Sequence, residues 1–108
     1  MKPSGSDGVA ATILVHVDPD LEDLIPRFMD NRRSDIATME KALAENDFET
    51  IKGLAHGLKG SGAGYGFDEI TQIGVTLEQA AKAKNHQEIE KCLECMAQYL
   101  AQVEIVYG

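Results

Sequence analysis

Tryptophan is absent from this chain, aromatic residues make up only 6% of it, and there are three prolines and two cysteines. Val, Ile and Thr form no alternating runs beyond the first 17 residues, which disfavours a protein built on sheets. Two cysteines provide no disulfide framework. No apolar run approaches the ~18 residues that a membrane span needs. The opening stretch, MKPSGSDGV, lacks the apolar centre of an export signal, so the expected location is the cytoplasm. Positive charge is scarce: 10 Lys and Arg face 18 Asp and Glu, for a formal net charge of −8 and a pI near 4.7. A surface this acidic repels phosphate backbones and anionic lipid, so neither nucleic acid nor membrane is an expected partner.

What is present suits one small domain. A chain of 108 residues with 44% apolar side chains buries ~65% of the surface it would expose unfolded, enough for one modest core. Residues 1–8 are rich in Gly, Ser and Pro and read as a loose tail. Residues 9–17, VAATILVHV, are β-prone and read as an extended segment along a helix surface, too isolated to build a sheet.

From Asp18 onward Ala, Leu, Glu, Lys and Gln dominate, and these are helix formers. Asp18-Pro19 supplies an N-cap acceptor and a first-turn proline, and Leu21, Leu24, Ile25 and Phe28 recur at helical spacing. Pro26 interrupts that stripe. The reading is a short helix over 19–25 and a longer one over 26–45, continued by Ile36, Met39 and Leu43. Asn46-Asp47 marks a turn and the next N-cap. A helix from Phe48 to about 63 then carries Ile51, Leu54, Ala55 and Leu58, and dissolves into Gly64-Tyr65-Gly66. The next runs from 67 or 68 to about 84, with Ile70, Ile73, Leu77 and Ala81. After the turn at Asn85-His86, the last spans about 87–107, with Ile89, Cys92, Leu93, Met96, Leu100, Val103 and Val106 facing inward. Four amphipathic helices with short turns predict an all-α fold, an antiparallel up-down four-helix bundle over 18–108, preceded by an N-terminal segment over 1–17.

The chemistry concentrates between Leu54 and Gly66. On a helical wheel Ile51, Leu54, Ala55 and Leu58 cluster on one side, and His56 points almost opposite, toward water. Lys59 and Gly60 follow three and four residues on and share its face; Ala63 extends that face by a turn. Gly57 and Gly60 each cost up to ~1 kcal/mol relative to Ala in a helix interior. The sequence accepts that cost beside an exposed imidazole, and a physical reason is available. Gly60 has no side chain to block an approaching protein. Lys59 sets a positive charge within reach of whatever attaches to the ring. A neutral imidazole nitrogen is a competent nucleophile, and a phosphoryl group placed on it carries negative charge that Lys59 and backbone dipoles can stabilise.

These residues resemble a known family. His56-x-x-Lys59-Gly60-Ser61, a small residue at 62, and Gly66 ten positions after the histidine are similar to the signature of histidine phosphotransfer (HPt) domains. Leu77-Glu78 and Ala81 fall where that family tends to carry Leu-Glu-x-x-Ala. The resemblance spans about residues 18–107. It implies that His56 exchanges a phosphoryl group with receiver-domain aspartates through Nε2. It also implies that Lys59 steadies the phosphoryl oxygens and that Glu78 holds the other ring nitrogen, fixing the tautomer. Partner binding is expected around Lys52, Gly53, Lys59, Gly60 and Ala63. The implied partners are response-regulator receiver domains and a hybrid sensor histidine kinase of a bacterial-type phosphorelay, bound by a monomer. The resemblance further implies that the chain needs no cofactor or metal of its own, the Mg²⁺ coming with the receiver, and that it is a phosphocarrier and not an enzyme, with no ATP-binding kinase domain. Gly62 departs from the Ala or Ser more usual in the family, which bears on local helix stability.

Plainer explanations compete with these. His56 alone would read as a surface histidine, Lys59 as a solvated lysine, and Glu78 as an exposed residue paired with Lys82. The glycines do not form G-x-x-x-x-G-K-[ST], and no strand precedes them in a βαβ setting. Cys92-x-x-Cys95 sits within a helix without a second ligand pair, so Cys92 reads as core and Cys95 as flanking. His16 and His86 read as surface residues, and Asn31-Arg32-Arg33 as a solvated basic spot. Two rival functions remain: a non-catalytic helical adaptor, and a small redox or metal protein using Cys92 and Cys95.

Overall fold

The computed structural model describes residues 12–108. The tail read over residues 1–8, and residues 9–11 of the extended stretch, lie outside the described residues. Strand β1 spans Ile13–Val17, a 3-10 helix spans Pro19–Leu24, and four α-helices follow: α1 Ile25–Ala44, α2 Phe48–Tyr65, α3 Asp68–Lys82 and α4 His86–Gln102. Strand β2, Val103–Tyr107, closes the described chain.

Local chemistry sets the helix ends. Asp18 Oδ1 accepts from Asp20 N at 2.9 Å, with Pro19 next in the first turn. Asp47 Oδ1 accepts from Thr50 N at 3.2 Å and Asn85 Oδ1 from Glu88 N at 3.2 Å, capping α2 and α4. The preceding Asn46 and Lys84 turn through left-handed backbone, at φ 57° and 55°. Gly66 ends α2 at φ 86°, a conformation in which a Cβ would be strained. Pro26 lies in the first turn of α1, where its missing N–H costs nothing.

Each helix packs on two others: α1 on α2 and α4, and α3 on α2 and α4. Between them lie the fully buried Met39, Ile51, Leu58, Phe67, Ile70, Leu77, Ile89 and Met96. Burying each large aliphatic side chain contributes ~1.5–3 kcal/mol.

The chain departs from its sequence reading in several places. β1 is not isolated: it pairs in parallel with β2, in the register Ile13 with Val103, Val15 with Ile105 and Val17 with Tyr107. α4 therefore stops at Gln102, not near 107. Val103, Ile105, Val106 and Tyr107 are β-branched or aromatic and favour a strand once a partner strand is present; that partner comes from the other end of the sequence. Val103 and Val106 are only half-buried there. The first helical segment is 3-10 rather than α. Leu24, counted in the apolar stripe, is half exposed because the tighter 3-10 turn rotates it off the core. Arg32 is not solvated. Its Nε donates to Asp35 at 2.9 Å and its Nη1 to Ser61 Oγ at 3.0 Å, while its guanidinium lies 4.8 Å from the Phe28 ring centroid. It ties α1 to α2.

α2 and α3 approach most closely, and glycines allow it. A methyl built on Gly62 would stand 2.6 Å from Thr71 Oγ1, 2.8 Å from Thr71 N and 2.9 Å from Phe67 O. Gly62 is thus a packing requirement of this chain, a stronger constraint than the helix propensity weighed from sequence.

Candidate functional site

His56 sits midway along α2 with its side chain 72% exposed. Its flank is set by the core side of the same helix: Ile51, Ala55 and Leu58 are buried, which turns His56 outward. Gly53, Gly57, Gly60 and Ala63 are exposed around it. Among the described residues, nothing beyond the helix's own neighbouring backbone lies within 4 Å of where a Cβ would stand on Gly53, Gly57 or Gly60, so the backbone of α2 is bare on this side. Lys52 is half-buried, its Nζ 3.3 Å from Glu49 Oε2.

α3 supplies the third charged group. Glu78 is 16% exposed; its Oε2 lies 3.4 Å from His56 Nδ1, and its Oε1 accepts from Lys59 Nζ. One carboxylate thus faces both the imidazole and the ammonium. The Lys59 hydrogen bond is the chief reason that the Glu78 carboxyl is held below the ordinary glutamate value of 4.5; partial desolvation opposes it, and the charges of Lys59 and His56 reinforce it. The structure therefore brings His56, Lys59 and Glu78 together, and places Lys52, Gly53, Gly60 and Ala63 on the surrounding face. Glu78 reaches across to Lys59 on the neighbouring helix instead of along its own helix to Lys82.

A lowered pKa in the folded state stabilises the fold above the unfolded value and is lost as pH falls through the folded value. Replacing Glu78 by Gln should accordingly lower stability throughout the range from neutral pH down to about 4.5. The difference from the parent should close at lower pH, where the parent's own carboxyl is protonated. Urea unfolding midpoints at stepped pH measure this; a difference that stays constant down to pH 2 would contradict it.

Sequence reasoning missed two residues on α3. Thr71 Oγ1 donates to the Lys59 carbonyl at 3.2 Å, and Gly74 faces the turn of α2 that carries His56. The available signal for Gly74 was a helix-weakening glycine four residues before Glu78.

The cysteines lie apart, on α4. Cys92 is buried and Cys95 exposed. Burial, helped by the Glu88 charge, pushes the Cys92 thiol up to about 11. Among the described residues no group of three or more His, Cys, Asp or Glu is placed to hold a metal ion. At pH 7 a thiol reagent should titrate Cys95 quickly and Cys92 only on unfolding. Two fast thiols would contradict this and favour the redox reading.

Two surface grooves lie away from His56, between α1 and α4 and between α3 and α4. The His56 face is exposed, with open space over Gly53, Gly57 and Gly60, which suits a docking protein better than an enclosed small molecule. Among the described residues no helix is long and apolar enough to cross a membrane.

A bare helix face thus carries an outward imidazole, backed by a lysine and by a carboxylate from the next helix. Residues 23–105 match the family model of the Hpt domain, and the chain belongs to that family. Hpt domains serve histidine phosphotransfer in phosphorelays, working with partners such as receiver domains, as carriers and not catalysts. No match was found among curated proteins or among solved structures.

Proposed function

We propose that His56 is the phosphoacceptor, and that the chain shuttles a phosphoryl group between receiver-domain aspartates. The single observation that supports this most is the exposed imidazole whose Nδ1 faces the Glu78 carboxylate at 3.4 Å. A hydrogen on Nδ1, directed at that carboxylate, leaves the Nε2 lone pair free on the opposite edge of the ring. Nε2 attacks the phosphorus of an aspartyl phosphate, the P–O bond to the receiver breaks, and the receiver's carboxylate leaves. The positive charge that forms on the ring is balanced by Glu78. Transfer onward is the reverse: an aspartate oxygen attacks and the Nε2–P bond breaks.

Lys59 is paired with Glu78 at rest. An arriving phosphoryl group offers that ammonium a second, more highly charged acceptor, and Lys59 steadies its oxygens. The Mg²⁺ for the reaction comes on the receiver, and the chain carries no cofactor of its own. Receivers, including one in a hybrid sensor histidine kinase, dock on the α2 face formed by Lys52, Gly53, Lys59, Gly60 and Ala63. Binding is transient, because a carrier must release both donor and acceptor. The reading includes an antiparallel up-down bundle over 18–108 with residues 1–17 as an N-terminal segment. It also places the chain as a cytoplasmic monomer in a bacterial-type relay.

A panel of phosphorylated receivers tests this. The chain should acquire acid-labile, base-stable label from at least one receiver and return it to at least one. If none across the panel donates or accepts, the chain is an adaptor that merely packs through its glycine-rich face.

A further inference from the structure

Three residues on one face of α3 touch the turn of α2 that carries His56. Thr71 Oγ1 donates to Lys59 O at 3.2 Å. A methyl on Gly74 would stand 2.9 Å from Ala55 O, 3.0 Å from Lys59 N and 3.1 Å from Leu58 Cβ. Glu78, one turn past Gly74, faces His56 Nδ1 and Lys59 Nζ. The spacing 71, 74 and 78 follows one helical stripe. Two of the three atoms against Gly74 are α2 backbone, which cannot swing aside as a flexible side-chain end would.

We propose that Thr71 and Gly74 are positioning residues that set the depth at which α3 meets α2, so that one Glu78 carboxylate reaches the His56 ring and the Lys59 ammonium together. This deepens the phosphoacceptor reading of His56 and rests on it for its consequence in transfer, though not for the geometry. Gly74 fixes the separation by having no Cβ. Thr71 fixes the register by its bond to the Lys59 carbonyl. Neither touches the reacting atoms; both act through Glu78.

Gly74→Ala tests this on the full chain by nitrogen-15 NMR of the histidine ring, without any donor. In the parent the Nδ1–H form of neutral His56 should predominate. In Gly74→Ala its ratio to the Nε2–H form should fall about five-fold, the factor represented by one ordinary hydrogen bond. The Glu78 carboxyl should titrate closer to an ordinary glutamate. Gly64→Ala is the control: it makes the same chemical change on α2 at a position with open space around it, and should leave the ratio unchanged. Adding Gly74→Ala to Glu78→Gln should produce no further tautomer change, because the route is through Glu78. Phosphoryl uptake by Gly74→Ala should slow about ten-fold, within what misplacement by part of an ångström costs.

An unchanged ratio in folded Gly74→Ala overturns the proposal, as does an equal shift in the Glu78→Gln background. If Gly74→Ala does not fold, Thr71→Val removes the hydroxyl without adding volume; it should shift the ratio in the same direction, and no shift overturns the proposal. Failure of phosphoryl uptake in the parent would remove the transfer reading but leave the tautomer result standing, so the two failures are distinct.

Discussion

Replacing His56 by Gln is expected to reduce phosphoryl uptake from a phosphorylated receiver by at least ~1,000-fold, since no other group can take the place of a missing nucleophile. The fold should not notice. The side chain is 72% exposed and belongs to no part of the core, so the unfolding free energy should stay within ~0.5 kcal/mol of the parent. The pairing of these two results matters. Loss of label with loss of folding says nothing about chemistry. Loss of label on an intact fold isolates the imidazole. Retained label at the normal rate would move the acceptor to another residue. Radiolabel transfer and urea unfolding on the same preparation read both.

The second large effect concerns stability. Phe67→Ala is expected to cost ~3–5 kcal/mol, the range for emptying a buried aromatic site, against a total stability of ~5–15 kcal/mol for a small domain. Phe67 is fully buried at the start of α3. Its ring stacks on Phe28 at 5.0 Å between centroids, and Phe28 in turn meets Tyr65 at 4.5 Å. Its backbone is equally engaged: N donates to Gly62 O at 2.8 Å, and O accepts from Ile70 N at 3.0 Å and Thr71 N at 3.3 Å. Phe67 therefore pins the α2–α3 turn, the end of α1 bearing Phe28 and the first turn of α3 at once. Equilibrium urea unfolding measures the cost. A loss under ~1 kcal/mol would show that the turn is held by its backbone bonds and not by the ring.

The sequence carried the helices and the outward placement of His56 well, for reasons visible in particular residues. Ile51, Ala55 and Leu58 fall on one side of α2 by simple periodicity, and that alone turns His56 to solvent. Asp47 and Asn85 announce their helices as caps. Cys92 and Cys95 separate into core and surface on the same logic. The pairing of β1 with β2 was not legible, because the partners are some 90 residues apart in sequence and each alone is a short apolar run. The VEIVY segment also continues the stripe of α4, so periodicity extended the helix past its end. Arg32 was misread because charge count says nothing of Ser61 and Phe28, which only the tertiary fold brings beside it. Gly62 was weighed only for helix stability, and Gly74 was not singled out. They are the places where two helices touch, a property of the pair and not of either strand of sequence.

On the proposed reading, the contacts from Thr71 to Glu78 let residues that do not touch the imidazole act on it through one carboxylate that does. The imidazole is exposed and could rotate freely on a bare helix. A carboxylate from the neighbouring helix approaches its Nδ1 at 3.4 Å, and on the proposed reading it selects which nitrogen faces the partner. The hydrogen bond from Lys59 is the chief cause that lowers the Glu78 carboxyl below its ordinary value, so the residue proposed to steady the phosphoryl group also favours the charged form of the carboxylate beside the ring.

The most direct measurement is the atom that bears phosphorus. The chain, labelled with nitrogen-15 in its histidines and phosphorylated by a receiver, should show phosphorus–nitrogen coupling at Nε2 of His56, with Nδ1 still protonated. Coupling at Nδ1, at the ring of His16 or His86, or phosphorus bound to a side chain other than histidine would contradict it.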